Sequence, residues 1–204
     1  MAYVSQYQGP LDSALNYPLW YALIDSFLGQ TAFDQLGAVI KLEEASLSDV
    51  NALTNFLDNH DQPRLASRTG DDIVRDQNAV TFLMFTSGIP ILYYGFEQRF
   101  SGGSDPVNRE PLWTSSYNTK VTLYQYISTL HKIRSLAANI SGKERYFSSD
   151  VEVLGTSAEY MALQRGPLVV VVSNVVLNGT IHGFNVQSSQ FEANAKLVDL
   201  LSCK

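Results

Sequence analysis

The stretch of this chain richest in chemistry is Phe56-Leu57-Asp58-Asn59-His60-Asp61-Gln62-Pro63-Arg64. A compact apolar run, residues 53–58, ends on the carboxylate Asp58 and is followed directly by an imidazole, a second carboxylate and two amides. Two readings compete. In one, Asn-His-Asp closes a strand and opens a turn or helix, a common use of such residues. In the other, a catalytic carboxylate stands beside a neutral imidazole at the C-terminal rim of a parallel strand, where barrel active sites lie. Two further segments carry usable groups: Gly88-Ile-Pro-Ile-Leu-Tyr-Tyr-Gly-Phe-Glu-Gln98, and Gly102-Gly-Ser-Asp-Pro-Val-Asn-Arg-Glu110. In the second, Asp105 and Arg109 offer an acceptor and a fork of donors suited to hydroxyl groups.

Holding these residues requires a scaffold, and the hydrophobic pattern outlines one. Residues 3–12 read as a short strand running into a loop. From Pro18 to Leu28 the spacing of Leu19, Leu23 and Phe27 predicts a helix, with Pro18 in the first turn and Gly29 as its stop. A second helix is expected over about Asp34–Glu44, and residues 53–58 read as a buried strand with a polar C-terminal end. Asp71–Thr86 is again helical, Gly88–Gly95 a short strand, 96–116 a long loop, and Thr119–Ala138 a helix with Leu123, Ile127, Leu130 and Ile133 on one face. Strand followed by helix, three times over, predicts a parallel sheet covered by helices. Beyond residue 143, short Val- and Tyr-rich runs separated by Gly, Ser and Asn predict an antiparallel β domain, giving a division into 1–142 and 143–204. Three parallel strands cannot close a barrel and leave two unpaired edges.

Bulk properties narrow the partners. With 20 acidic residues against 14 basic ones and a net charge of -6, the chain is poorly suited to nucleic acid or an anionic membrane. A neutral sugar is not excluded. The longest apolar stretch, Thr81–Phe96, is broken by Ser87, Gly88 and Pro90 and falls short of the roughly 20 residues a spanning helix needs. Residues 1–20 lack a basic start followed by an apolar run, so no signal peptide is visible. A single cysteine, Cys203, fits an intracellular protein or an incidental thiol. The sequons Asn139-Ile140-Ser141 and Asn178-Gly179-Thr180 point instead to a secreted one.

Taken together, in this order and spacing, the three motifs resemble glycoside hydrolase family 13 and, within it, the fungal α-amylases. Asn16-Tyr17-Pro18-Leu19 is similar to that family's stretch after its sixth strand, and the resemblance covers nearly the whole chain. It implies an α/β fold: strands six to eight of a (β/α)8 TIM barrel with their helices, then an antiparallel β-sandwich. By that mapping Tyr7-Gln8 lies on strand six, Asn55–Asp58 on strand seven and Ile89–Tyr93 on strand eight. The resemblance makes Asp61 the transition-state-stabilising carboxylate and His60 a hydrogen-bond partner of a substrate hydroxyl. It makes Asp105, Arg109 and Arg64 substrate-binding residues. The implied activity is retaining endo-hydrolysis of α-1,4-glucosidic bonds in starch and related glucans, by a secreted, monomeric enzyme that binds calcium. Those residue types suit an oxocarbenium-like transition state. Hydrogen bonds from Asp61 to ring hydroxyls that strengthen only as the sugar flattens accelerate the reaction, whereas uniform binding does not. A third carboxylate also helps keep a neighbouring acid protonated.

The resemblance also shows departures. A retaining enzyme needs a nucleophile and an acid/base about 5 Å apart, which in this family lie on strands four and five, upstream of anything here. Calcium ligands too lie mainly upstream. These residues alone are therefore expected to be inactive and free of calcium, and Met1-Ala2-Tyr3 reads as a cut. Both halves of a disulfide common in fungal relatives are absent, at Ser5 and within 30–52. Cys203 resembles a cysteine that pairs further downstream. Two alternatives stay open: a non-catalytic glucan-binding remnant, and a 4-α-glucanotransferase of the same family. His131 and His182 read as surface or packing residues. Tyr94, Phe96 and Trp113 are candidates for sugar stacking or for the core.

Overall fold

The computed structural model describes residues 2–180, 182–183, 186, 191 and 196–202; Cys203 lies outside them. Its sheet is organised by buried amides. Strand β1 (Thr54–Phe56) pairs in parallel with β2 (Ile89–Ile91) in the register Thr54–Ile89, Asn55–Pro90, Phe56–Ile91. On the other side of β1, Leu15 forms a parallel bridge to Thr54, supported by Asn16 N–H to the Thr54 carbonyl at 2.9 Å and Thr54 N–H to the Ala14 carbonyl at 3.0 Å. Across these three positions runs an amide ladder. Asn16 Nδ2 donates to Asn55 Oδ1 at 2.9 Å, and Asn55 Nδ2 donates to the Ser87 carbonyl at 2.7 Å. Both asparagines are buried, and a buried polar group left unpaired costs roughly 1–3 kcal/mol, so the ladder fixes strand order and register. Gly88 must be glycine beside it. Its φ is +96°, and a Cβ there would stand 2.6 Å from Asn55 Nδ2.

Asn16 also starts helix α2 (Tyr17–Phe27), its Oδ1 accepting the Leu19 N–H at 3.2 Å. That bond satisfies one of the orphan donors of the first turn, and Pro18, having no N–H to satisfy, suits the same turn. The helix buries Leu19, Trp20, Leu23, Ile24 and Phe27, and Trp20 Nε1 donates to the Leu57 carbonyl at 2.8 Å. The C-terminal end of β1 is thereby tied to α2. Helix α3 (Phe33–Ser46) follows, and after β1 come α4 (Leu65–Thr69) and α5 (Ile73–Phe85). Asp72 caps α5 by accepting from Val74 and Arg75 N–H groups at 2.9 and 3.3 Å. A long loop after β2 leads to α6 (Thr122–Ser141), then to α7 (Lys143–Ser148). The antiparallel sheet β3 (Glu152–Thr156), β4 (Tyr160–Arg165), β5 (Leu168–Ser173) completes the described elements, in the order β3-β4-β5.

The main core contains Phe27, Phe33, Leu36, Phe56, Phe82 and Leu83 together with Val151, Met161, Leu163, Val170 and Val172 of the antiparallel layer. Arg165 of β4, buried, donates to the Thr86 carbonyl at the entry to β2. By contrast, the apolar side chains of Leu15, Ile89, Ile91 and Leu92 are exposed.

The parallel pairing, the helices over 17–27, 33–46, 73–85 and 122–141, and the antiparallel layer follow the expected pattern. Residues 3–12 do not. They are helical as α1 (Ala2–Tyr7), and the strand position beside β1 belongs to Leu15, not to Tyr7-Gln8. The strand reading is overridden locally. Tyr3 and Tyr7, one helical turn apart, bring their rings into tilted contact with centroids 4.9 Å apart, and Val4 alone is buried, against Leu47, Val50 and Leu53. Gln8 then anchors the exit by donating to the Asp49 carbonyl at 2.7 Å and accepting the Ser48 N–H at 2.9 Å.

Candidate functional site

In the turn that follows β1, two N–H groups and three carbonyls are held by asparagine side chains. Asn59 Oδ1 accepts the N–H groups of Asp61 and Gln62 at 2.9 and 3.0 Å, and Asn59 Nδ2 donates to the Tyr17 hydroxyl at 2.9 Å. From the opposite side Asn108, fully buried, sends its Nδ2 to the carbonyls of Asn59, His60 and Gln62 at 3.3, 3.0 and 2.8 Å. With amides held by one asparagine and carbonyls by another, the side chains of His60 and Asp61 are what the turn presents outward. They are 63% and 58% exposed, with His60 Nε2 3.3 Å from Asp61 Oδ1.

Arg109 joins this turn to the loop 101–110. Its Nε donates to the His60 carbonyl at 3.2 Å, and its Nη2 lies 3.1 Å from Asp105 Oδ1. The Arg109–Asp105 pair is about half exposed, so it contributes little to stability. It holds a half-exposed donor fork and acceptor against the turn that carries His60 and Asp61. The structure thus brings together four of the five residues singled out from the sequence.

The fifth, Arg64, has a different setting from the one expected. Its side chain is completely buried. Nε donates to Glu110 Oε2 at 3.1 Å and Nη1 to the Tyr94 carbonyl at 2.6 Å, while Asp58 Oδ2 stands 3.9 Å away. The guanidinium lies over the Tyr93 ring, 4.1 Å from its centroid. Main-chain bonds reinforce the tie: Arg64 N–H donates to the Gly102 carbonyl at 3.0 Å, and Gly102 N–H donates to Glu110 Oε1 at 2.5 Å. Gly102 tolerates nothing larger, since a Cβ would meet the Val107 carbonyl oxygen at 2.1 Å. Arg64 therefore fastens the end of β1, the end of β2 and the loop 102–110 to each other from below the surface. Burial pushes the Asp58 carboxyl up to about 7, against the opposing pull of Arg64.

Among the aromatic candidates, Phe96 belongs to the main core, Tyr94 is partly exposed, and Trp113 is exposed. His131 and His182 are exposed and away from these contacts. Among the described residues no three His, Cys, Asp or Glu side chains gather as they would around a metal ion. No helix among them is long and apolar enough to cross a membrane. Sequence reasoning passed over Asn108 and Glu110 as individual residues although both stand in a motif it quoted. Their partners lie 46 to 49 residues away, which leaves no local signal.

Comparison with known proteins bears on this arrangement. Residues 1–143 match the family model described as "Alpha amylase, catalytic domain". The chain is 39% identical over 208 residues to alpha-amylase 2 of Schwanniomyces occidentalis, covering 100% of this chain and 40% of that protein. It is 34% identical over 203 residues to an alpha-amylase of Saccharomycopsis fibuligera, covering 99% and 40%. Among solved structures, an alpha-amylase from Malbranchea cinnamomea superposes with a TM-score of 0.94 at 34% identity, covering 100% of this chain and 43% of that one. An Anoxybacillus alpha-amylase superposes with a TM-score of 0.77 at 25% identity, covering 99% and 44%. The chain spans about 40% of the length of the curated relatives it matches.

Proposed function

Since this chain belongs to the family of α-amylase catalytic domains, a glycoside hydrolase family, we propose that it forms the part of a retaining α-1,4-glucan endo-hydrolase that grips the sugar and stabilises the transition state. The observation that carries this reading is the outward pair His60 and Asp61, held beside Asp105 and Arg109 at the C-terminal end of β1. Active sites of parallel barrels lie at that end of their strands. Asp61 is the carboxylate that accepts hydrogen bonds from ring hydroxyls as the reacting sugar flattens toward an oxocarbenium ion. His60 donates to a hydroxyl of the same sugar. Arg109 and Asp105 hold a neighbouring glucose unit, and Arg64 works from beneath, fixing the loops that carry them.

The nucleophile and the acid/base belong, in this reading, to barrel strands outside these residues, as do most ligands of a structural calcium. Exposed Leu15, Ile89 and Ile91 on the parallel strands suit further strands closing the barrel. The same reading makes the protein extracellular and monomeric, with a starch-like glucan as its partner.

The test is release of reducing sugar from soluble starch by the full gene product and by its Asp61→Asn variant. We expect the variant to lose several orders of magnitude in turnover while retaining most of its starch binding. An unaltered rate refutes the role of Asp61. Disproportionation of maltooligosaccharides with little hydrolysis would make the enzyme a glucanotransferase instead.

A further inference from the structure

The turn Asn59–Gln62 is held by an amide where three carbonyl oxygens converge, and this arrangement has a consequence for the site. Asn108 Nδ2 lies 3.3, 3.0 and 2.8 Å from the carbonyls of Asn59, His60 and Gln62. Carbonyl oxygens only accept, so the group facing them must be the NH2 end of the amide. Its two hydrogens serve three acceptors by sharing one. Asn108 is fully buried, and its neighbour Arg109 donates to the same His60 carbonyl, at 3.2 Å. Three carbonyl dipoles aimed at one point repel each other unless a donor sits there. Without it the turn has to re-aim those groups, and with them the side chains on either side of each peptide.

We propose that Asn108 is a positioning residue: by drawing the three carbonyls inward it sets the direction in which His60 and Asp61 present their side chains to sugar. Asn59 is its counterpart, taking the N–H groups of Asp61 and Gln62 on its Oδ1. Because the adjoining Arg109 bonds both to the turn and to Asp105, the clamp also sets the spacing between the two halves of the site. This inference rests on the glucan reading only for what the side chains bind. The clamp itself is a statement about geometry.

Asn108→Asp tests it. The change keeps the shape of the side chain but replaces the donor with an oxygen that faces three oxygens. Backbone 15N order parameters should fall over residues 59–62 from the rigid value of about 0.85 to below about 0.6, with helix α5 and strand β4 unchanged. Affinity for maltoheptaose should drop at least tenfold. If Asn108→Asp fails to fold, Asn108→Ala removes the donor without adding charge and should show the same local loosening. Order parameters that stay at the wild-type value with affinity within twofold overturn the proposal, and so does a uniform fall across the whole chain. If the wild-type protein binds no maltoheptaose, the glucan reading fails, and the order parameters alone decide whether Asn108 orients the turn.

Discussion

Replacing Arg64 with Met removes a buried cation while keeping an unbranched side chain of comparable length. Its guanidinium makes two charge-assisted contacts, to Glu110 at 3.1 Å and to the Tyr94 carbonyl at 2.6 Å. Each such bond is worth roughly 1.5–3 kcal/mol. The loss also strips Asp58, 1% exposed, of the cation 3.9 Å away. Removing one partner of a buried pair costs about 3–5 kcal/mol when the other charge stays behind; here that charge is Glu110, 24% exposed, because the Asp58 carboxyl, already raised to about 7, takes up a proton once Arg64 is gone. We therefore expect destabilisation of about 4 kcal/mol, which lowers the thermal midpoint of a chain this size by about 8–16 °C. Urea denaturation of wild type, Arg64→Met and Glu110→Gln measures it, with Glu110→Gln, which retains an acceptor, showing a smaller loss. A further comparison with Arg64→Lys separates charge from fork, since an ammonium keeps the charge but not the planar fork that reaches Glu110 and the Tyr94 carbonyl from separate nitrogens. If Arg64→Met is as stable as wild type within about 1 kcal/mol but binds maltooligosaccharide more weakly, the buried-knot argument is wrong and Arg64 contacts sugar.

Three other outcomes follow from the same coordinates. Burial raises the Asp58 carboxyl from 3.8 to about 7 and the Glu43 carboxyl from 4.5 to about 7. A folded-state value above the unfolded one gives stability that is present below about pH 4 and lost as pH rises through about 7, at most roughly 3–4 kcal/mol per group. The urea midpoint should thus be higher at pH 5 than at pH 8, and Glu43→Gln should flatten part of that decline; a midpoint that rises with pH contradicts the assignment. Gly88→Ala places a Cβ 2.6 Å from Asn55 Nδ2 and 2.8 Å from the Leu53 carbonyl at a φ of +96°, and should cost about 3 kcal/mol in the same denaturation assay. Arg109→Ala should weaken binding of long maltooligosaccharides more than short ones, by titration calorimetry, with stability nearly unchanged because its ion pair with Asp105 is half exposed.

What could be read from the sequence divides along physical lines. The helices at 17–27, 73–85 and 122–141 were legible because apolar residues recur at helical spacing, and the first of them also carries Pro18 in its first turn. The turn with His60 and Asp61 was legible because strand, polar cluster and proline are contiguous. Two features were not. Residues 2–7 are too short a run to declare themselves, and they coil because Tyr3 meets Tyr7 one turn on, Val4 packs against Leu47, Val50 and Leu53, and Gln8 bonds to Ser48 and Asp49. The second is the buried role of Arg64. An arginine after Asn-His-Asp in a sugar-binding motif invites a ligand-binding reading, and its partners Tyr94 and Glu110 are 30 and 46 residues away. Only the folded chain brings them within reach. Asn108 is hidden for the same reason: its acceptors are backbone carbonyls, which every sequence has.

The most direct measurement is an NMR titration of the protein with maltoheptaose. The account predicts that the largest shifts fall together on His60, Asp61, Asp105 and Arg109, and that Asp61→Asn keeps this footprint. Shifts confined to another surface, or none at millimolar sugar, would contradict it.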